Sequence, residues 1–137
     1  MSLVFLDTNV LIYSISTDAR EASNRERAGA LLDRDDCALS VQVLQEFYVQ
    51  ATRPTRADAI SHQLAEGFIR TWLRFRIQDM TLTLMQAALA IKAAHGFSYW
   101  DSAIVAAAQA QGCEQLMSEH MSDGREVAGV RIINPFR

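Results

Sequence analysis

Short apolar runs alternate along the chain with stretches in which apolar residues recur every three or four positions. Leu3-Val4-Phe5-Leu6 is an unbroken apolar run of the kind that forms a strand buried on both faces. Shorter runs stand at Ala38-Leu39-Ser40, Phe75-Arg76-Ile77, Gln115-Leu116-Met117-Ser118 and Val130-Arg131-Ile132-Ile133, the last closed by Pro135. Between them the spacing is helical. Val10, Leu11, Ile12 and Ile15 line a short helix, and Ala28, Leu31 and Leu32 line a second over 23–33. Val43, Leu44, Phe47 and Val49 carry a third over 41–52, capped by Ser40 and halted before Pro54. Ile60, Leu64, Phe68 and Ile69 predict a helix over 56–72. Thr81 caps one through Leu84, Ala87, Ala88 and Ile91 that ends near His95-Gly96, and Ser98 caps an alanine-rich one ending at Gly112. Strands alternating with helices predict an α/β fold with a mainly parallel sheet and right-handed crossovers.

The first strand ends on Asp7, followed by Thr8 and Asn9. Ligands of open α/β sheets bind at the carboxyl ends of strands. A carboxylate among apolar neighbours is costly there unless something offsets its charge, which a divalent cation does well. The plainer role for Asp7 is to cap the following helix. Glu46 lies within the 41–52 helix on a face shared with Val43 and Gln42, an unusual setting for a free glutamate; a solvent-facing position is its plainer reading. Asp101 is the third residue after the Ser98 cap, where a capping box is the plain reading. The same helix terminus favours an ionised carboxylate, the form a metal needs. A further polar cluster, Ser118-Glu119-His120-Met121-Ser122-Asp123-Gly124, follows another strand and reads either as a solvated loop or as part of the same edge. Acids from distant segments, each near a strand end or helix start, point to a convergent carboxylate cluster. Hard cations such as Mg²⁺ or Mn²⁺ suit such oxygens, and a pair of them can activate a water against a phosphodiester.

With 137 residues, half of them hydrophobic, one domain over 1–137 with a sizeable core is expected. The apolar stretches are too interrupted for a membrane span, and no basic region precedes an apolar run at the N-terminus. A cytoplasmic location without a membrane partner is the expectation. Cys37 and Cys113 lack metal-type spacing and are expected to be reduced and structural. The net charge of −3 gives no global basic field, though acids gathered around cations contribute to that sum. Lys92 is the only lysine; Arg53, Arg56, Arg70, Arg74 and Arg76 crowd the middle third. They suit bidentate phosphate contacts and, equally, a solvated helix face.

The order and spacing of four segments resembles the PIN-domain family, specifically the VapC-type toxins of bacterial toxin–antitoxin pairs. The segments are Phe5-Leu6-Asp7-Thr8-Asn9-Val10-Leu11, Ser40-Val41-Gln42-Val43-Leu44-Gln45-Glu46-Phe47-Tyr48, Ser98-Tyr99-Trp100-Asp101-Ser102-Ala103-Ile104-Val105 and Val130-Arg131-Ile132-Ile133-Asn134-Pro135-Phe136. None is specific alone. The resemblance implies a PIN-like three-layer α/β/α fold and a type II toxin that hydrolyses RNA phosphodiesters through carboxylate-bound Mg²⁺ or Mn²⁺ and an activated water. Asp7, Glu46 and Asp101 match the family's three central acids, as catalytic residues and metal ligands. Thr8, Asn9 and Ser118 would support them. The implied partners are an RNA substrate, a cognate antitoxin and a second copy of the chain in a homodimer. Exposed apolar residues between Val41 and Trp72 are candidates for the partner groove.

One departure stands out. Many relatives carry Ser/Thr-Glu-Asp where this chain has Ser118-Glu119-His120, so an imidazole replaces the usual fourth acid. His120 suits Mn²⁺ better than Mg²⁺, and Asp123 and Glu119 are the other candidates for that ligand position. A catalytically weakened module that binds RNA or protein is the alternative reading. A receiver domain fits worse, with no opening acidic pair and its only lysine in mid-helix. So does a haloacid-dehalogenase-type phosphatase, which wants Asp-x-Asp where this chain has Asp7-Thr8-Asn9.

Overall fold

A computed structural model describes residues 3–137. In chain order the elements are β1 (Leu3–Leu6), α1 (Thr8–Ser14), a 3-10 turn (Ala19–Glu21), α2 (Ala22–Leu32), β2 (Cys37–Ser40), α3 (Val41–Ala51), α4 (His62–Trp72), β3 (Arg76–Gln78), α5 (Leu82–His95), α6 (Tyr99–Ala110), β4 (Cys113–Met117), β5 (Glu126–Val127) and β6 (Val130–Ile133). The six strands form one sheet in the order β3-β2-β1-β4-β6-β5, parallel except where β5 pairs with β6.

The strand order turns back at β1. From there the chain first moves outward through β2 to β3, then returns to lay β4 on the other side of β1. Right-handed crossovers in opposite directions put their helices on opposite faces. This gives three layers, with α1–α4 on one face and α5 and α6, packed together, on the other. It also opens a crevice between the carboxyl ends of β1 and β4, the switch point where α/β sheets bind ligands. Two backbone bonds fix that edge: Asp7 N–H donates to the Met117 carbonyl (3.0 Å) and Ser118 N–H to the Ile133 carbonyl (2.9 Å). Phe5, Leu6, Leu39, Leu116 and Ile132 from the strands, with Phe47, Ile104 and Val105 from the helices, form one fully buried core. Ala103, Ala106, Ala107 and Ala108 are buried too, so small side chains let α6 lie close on the sheet and α5.

Three expectations from the sequence change. The helix expected over 56–72 begins only at His62, because Ser61 takes the cap and its Oγ accepts from Leu64 N–H (3.1 Å). Residues 53–61 instead form turns pinned by Ile60 N–H on the Ala51 carbonyl (2.9 Å). Val49 and Leu64, expected on inward faces, are 54% and 50% exposed. The third change is β5, which the pattern missed. It joins β6 through Ala128 and Gly129, both at positive φ (53° and 80°), the backbone of a tight hairpin turn. Alanine in that position gives no turn signal.

Candidate functional site

Asp7 is the side chain around which the crevice is built. It is completely buried, extended in backbone, and caps α1 by accepting from Thr8 N–H (2.7 Å). Capping and a site role therefore coincide in one residue. Its other oxygen accepts from Ser118 Oγ (2.7 Å) and from Asn9 Nδ2 (3.4 Å). Ser118 is itself fully buried just beyond β4, so the donor reaches Asp7 from the neighbouring strand. Burial pushes the Asp7 carboxyl above the ordinary carboxylate range. The His120 charge, the Ser118 hydroxyl and the Thr8 N–H pull the other way without cancelling it.

Glu46 reaches the crevice from α3. Thr8 Oγ1 donates to it at 2.6 Å, and Gln42 Nε2 at 3.4 Å, so the first turn of α1 ties Glu46 to Asp7. Asp101 comes from the first turn of α6. Ser98 Oγ accepts from the Asp101 N–H (3.1 Å), while the Asp101 carboxylate meets His120 Nε2 at 3.0 Å. His120 Nδ1 stands 3.6 Å from Asp7 Oδ2, so the imidazole bridges two of the acids. The hydrogen bond with Asp101 and the negative charge of Asp7, Asp101 and Glu46 raise His120 to about 9, against the opposing effect of its partial burial.

Asp7, Thr8, Glu46, Asp101 and His120 line a single cleft of about 400 Å³ that also takes in Asn9, Tyr13, Arg56 and Glu119. Glu119 is turned to Tyr13, whose hydroxyl donates to it at 2.8 Å. Burial and that carboxylate push the Tyr13 phenol up to about 12, so it remains a donor. Asp123 is not brought into the cleft: it accepts from Asn134 N–H (2.8 Å) and faces Arg137. Of the central arginines, only Arg56 borders the cleft, and it is paired with Asp58 at 2.8 Å. Arg70 pairs with Glu66, and Arg74 lies over the Phe75 ring and donates to the Leu32 carbonyl, so these two serve the fold. Tyr13 and Gln42 escaped the sequence reading. Tyr13 stands one turn after Asn9 on α1, the spacing at which it could have been found.

The donor set fits a hard divalent cation: three carboxylates, one of them fully buried and short of compensating charge. Among the described residues no ready cage of three His, Cys, Asp or Glu side chains stands assembled, and His120 contacts both Asp7 and Asp101. His120 is half-exposed, so it can turn out to solvent or offer a ring nitrogen.

Cys37 and Cys113 are free and buried, as expected of structural thiols. No helix among the described residues is long and apolar enough to cross a membrane. Comparison with curated proteins finds no match. Comparison with solved structures finds the same fold in a toxin–antitoxin complex from Klebsiella pneumoniae, at a TM-score of 0.69 and 21% identity over 98% of both chains. A VapC toxin of Mycobacterium tuberculosis, described as cleaving the sarcin-ricin loop, aligns at 0.64 and 20% identity over 88% of this chain and 90% of its own. A DNA-bound VapBC complex from Salmonella typhimurium aligns at 0.65 and 19% over 96% and 97%. The family model of the PIN domain matches residues 4–119, from β1 to the loop that carries Ser118. The chain therefore belongs to the PIN domain family.

Proposed function

We propose that this protein is a Mg²⁺- or Mn²⁺-dependent ribonuclease of the VapC type, the toxin of a type II toxin–antitoxin pair, acting in the cytoplasm as one domain over 1–137. The observation that carries this reading is the fully buried Asp7 at the switch point of the sheet, in one cleft with Glu46 and Asp101. When bound, the cation supplies the Lewis acidity that polarises a scissile phosphate and a water and steadies the departing 3′ oxygen.

Asp7, Glu46 and Asp101 would hold the ion. Thr8 orients Glu46, while Ser118, Asn9 and the Thr8 N–H leave Asp7 one arrangement of its oxygens. Asp101 is set in place by the first turn of α6, whose Ser98 cap accepts from its N–H. His120 takes the place of a further acid; once a bound ion displaces its proton, it would offer a nitrogen that favours Mn²⁺ over Mg²⁺ as the more active ion. The cleft is open to an extended strand, and Arg56, ion-paired with Asp58, stands on its rim. For partners, the reading takes a cognate antitoxin and a second copy of the chain. An apolar groove lined by Val41, Leu44, Tyr48, Val49 and Ile69 between α3 and α4 supports a helical partner segment. The solved relatives described as toxin–antitoxin complexes support the same pairing.

The experiment is cleavage of a labelled RNA pool by purified protein with Mg²⁺, Mn²⁺ or chelator, beside Asp7→Asn and Asp101→Asn. Metal-dependent cutting lost in both variants is the expected result. Folded protein that cuts under no metal refutes it. The second reading, an RNA- or protein-binding module with a weakened site, draws on His120 standing between Asp7 and Asp101. RNA retained without cutting would favour it.

A further inference from the structure

Beside the carboxylate cleft lies a second groove, of about 310 Å³, walled by Trp100, Val49, Gln45 and Arg53. It opens directly onto the cleft, because Glu46 and Gln50 line both. Trp100 immediately precedes Asp101 and is 59% exposed, although an indole is among the most costly side chains to leave in water. Tyr99 meets its ring edge-on at 5.0 Å. Beneath it, Gln42 is 4% exposed, and its Nε2 donates to the Trp100 carbonyl (3.1 Å) and toward Glu46 (3.4 Å). One amide thus ties the position of Trp100 to that of the catalytic Glu46. The Oε1 of that amide is buried without a partner, an acceptor to spare at the floor of the groove.

An exposed indole backed by Tyr99, exposed or half-exposed glutamine amides and Arg53, an exposed arginine on the groove wall, are the chemistry of a single-strand nucleobase site. Stacking supplies sequence-tolerant affinity, amides read a base edge, and Arg53 meets the backbone. We propose that this groove is a nucleobase subsite that takes the unpaired base flanking the scissile phosphate, stacked on Trp100, with Gln45 and Gln50 at its edge. The proposal rests on the ribonuclease reading and adds to it where the RNA strand runs: out of the cleft between α3 and the start of α6. A base still paired and stacked in a duplex cannot present its face to the indole, so single-stranded RNA is the substrate form this groove selects.

Trp100 reports on the groove by its own fluorescence. The chain's second tryptophan, Trp72, is buried against Phe47 and Phe68, and Trp72→Phe leaves Trp100 as the sole reporter. In chelator, so that nothing is cut, a short single-stranded RNA should quench Trp100 saturably and its duplex form should not. Trp100→Ala should weaken single-strand binding about 5- to 150-fold, the contribution of one stacked base, while Trp100→Phe keeps most of it. Because the side chain is exposed, Trp100→Ala should melt with the parent protein. Trp100→Ala that binds and cuts RNA as the parent does overturns the subsite and leaves the nuclease standing. Quenching that follows protein concentration rather than RNA also overturns it and makes this face a contact between copies. If the parent neither binds nor cuts RNA, both readings fall together.

Discussion

His120→Asp separates what the imidazole does for the metal-free fold from what it withholds from a cation. In the parent, His120 Nε2 is 3.0 Å from Asp101 and Nδ1 is 3.6 Å from Asp7, and with a pKa of about 9 the ring is charged at pH 7. Because half of the imidazole is in water, each contact contributes only about 0.5 kcal/mol after screening. Aspartate removes both and adds a fourth negative charge beside Asp7, Asp101 and Glu46, a repulsion of similar size that the shorter side chain relieves in part by turning outward. The sum is about 1–2 kcal/mol of lost stability in chelator. For a chain of this size that lowers the melting temperature by about 4–8 °C. With Mg²⁺ the sign reverses, since the variant gives the ion an oxygen ligand and no longer bars its way. An ion present at about 100 times its Kd contributes about 2.7 kcal/mol to whichever form binds it. The assay is thermal unfolding at pH 7 of parent and variant, each in chelator and across a Mg²⁺ and a Mn²⁺ titration. The variant should melt lower without metal and rise further with Mg²⁺. Equal melting in chelator, or an equal rise with Mg²⁺ in both proteins, would refute the account of His120 as a stand-in cation.

Four further outcomes follow from the same geometry. Ser118→Ala removes the hydroxyl that donates to buried Asp7 at 2.7 Å and should cost about 1.5–3 kcal/mol in urea unfolding, with an unchanged midpoint counting against it. Thr8→Val keeps the backbone cap on Asp7 but frees Glu46, so cutting should fall at least about 10-fold, in kcat more than KM, with about 1 kcal/mol or less lost in stability. Phe47→Ala empties a fully buried position packed against Trp72 and should cost about 3–5 kcal/mol, read from the same urea curves. Burial pushes the Cys37 thiol to about 11 and Cys113 to about 12, so neither should react with a thiol reagent at pH 8 in native protein, and both should react in urea.

The sequence by itself determined the elements whose signals are local. Apolar runs marked β1 and β6, and Ser40, Thr81 and Ser98 marked the starts of α3, α5 and α6 because a cap is a contact within one turn. It also marked Asp7, since a carboxylate closing a buried strand is conspicuous in one dimension. Where the signal was ambiguous the sequence misplaced things: the start of α4 fell among equal polar residues before Ser61, and the Ala128-Gly129 turn carried no turn residue at its first position. Only the tertiary structure decided the rest. Whether Glu46 faced solvent or the cleft depended on Thr8, 38 residues away, and whether Asp101 closed a capping box or met His120 depended on the loop after β4. It drew Tyr13 to Glu119, turned Asp123 to the chain's end, and set Trp100 open beside the carboxylates. Hydrophobic periodicity reports which side of an element is buried; which side chains from different elements meet is fixed by strand order and crossover hand, and a single sequence encodes those only through the packing of the whole.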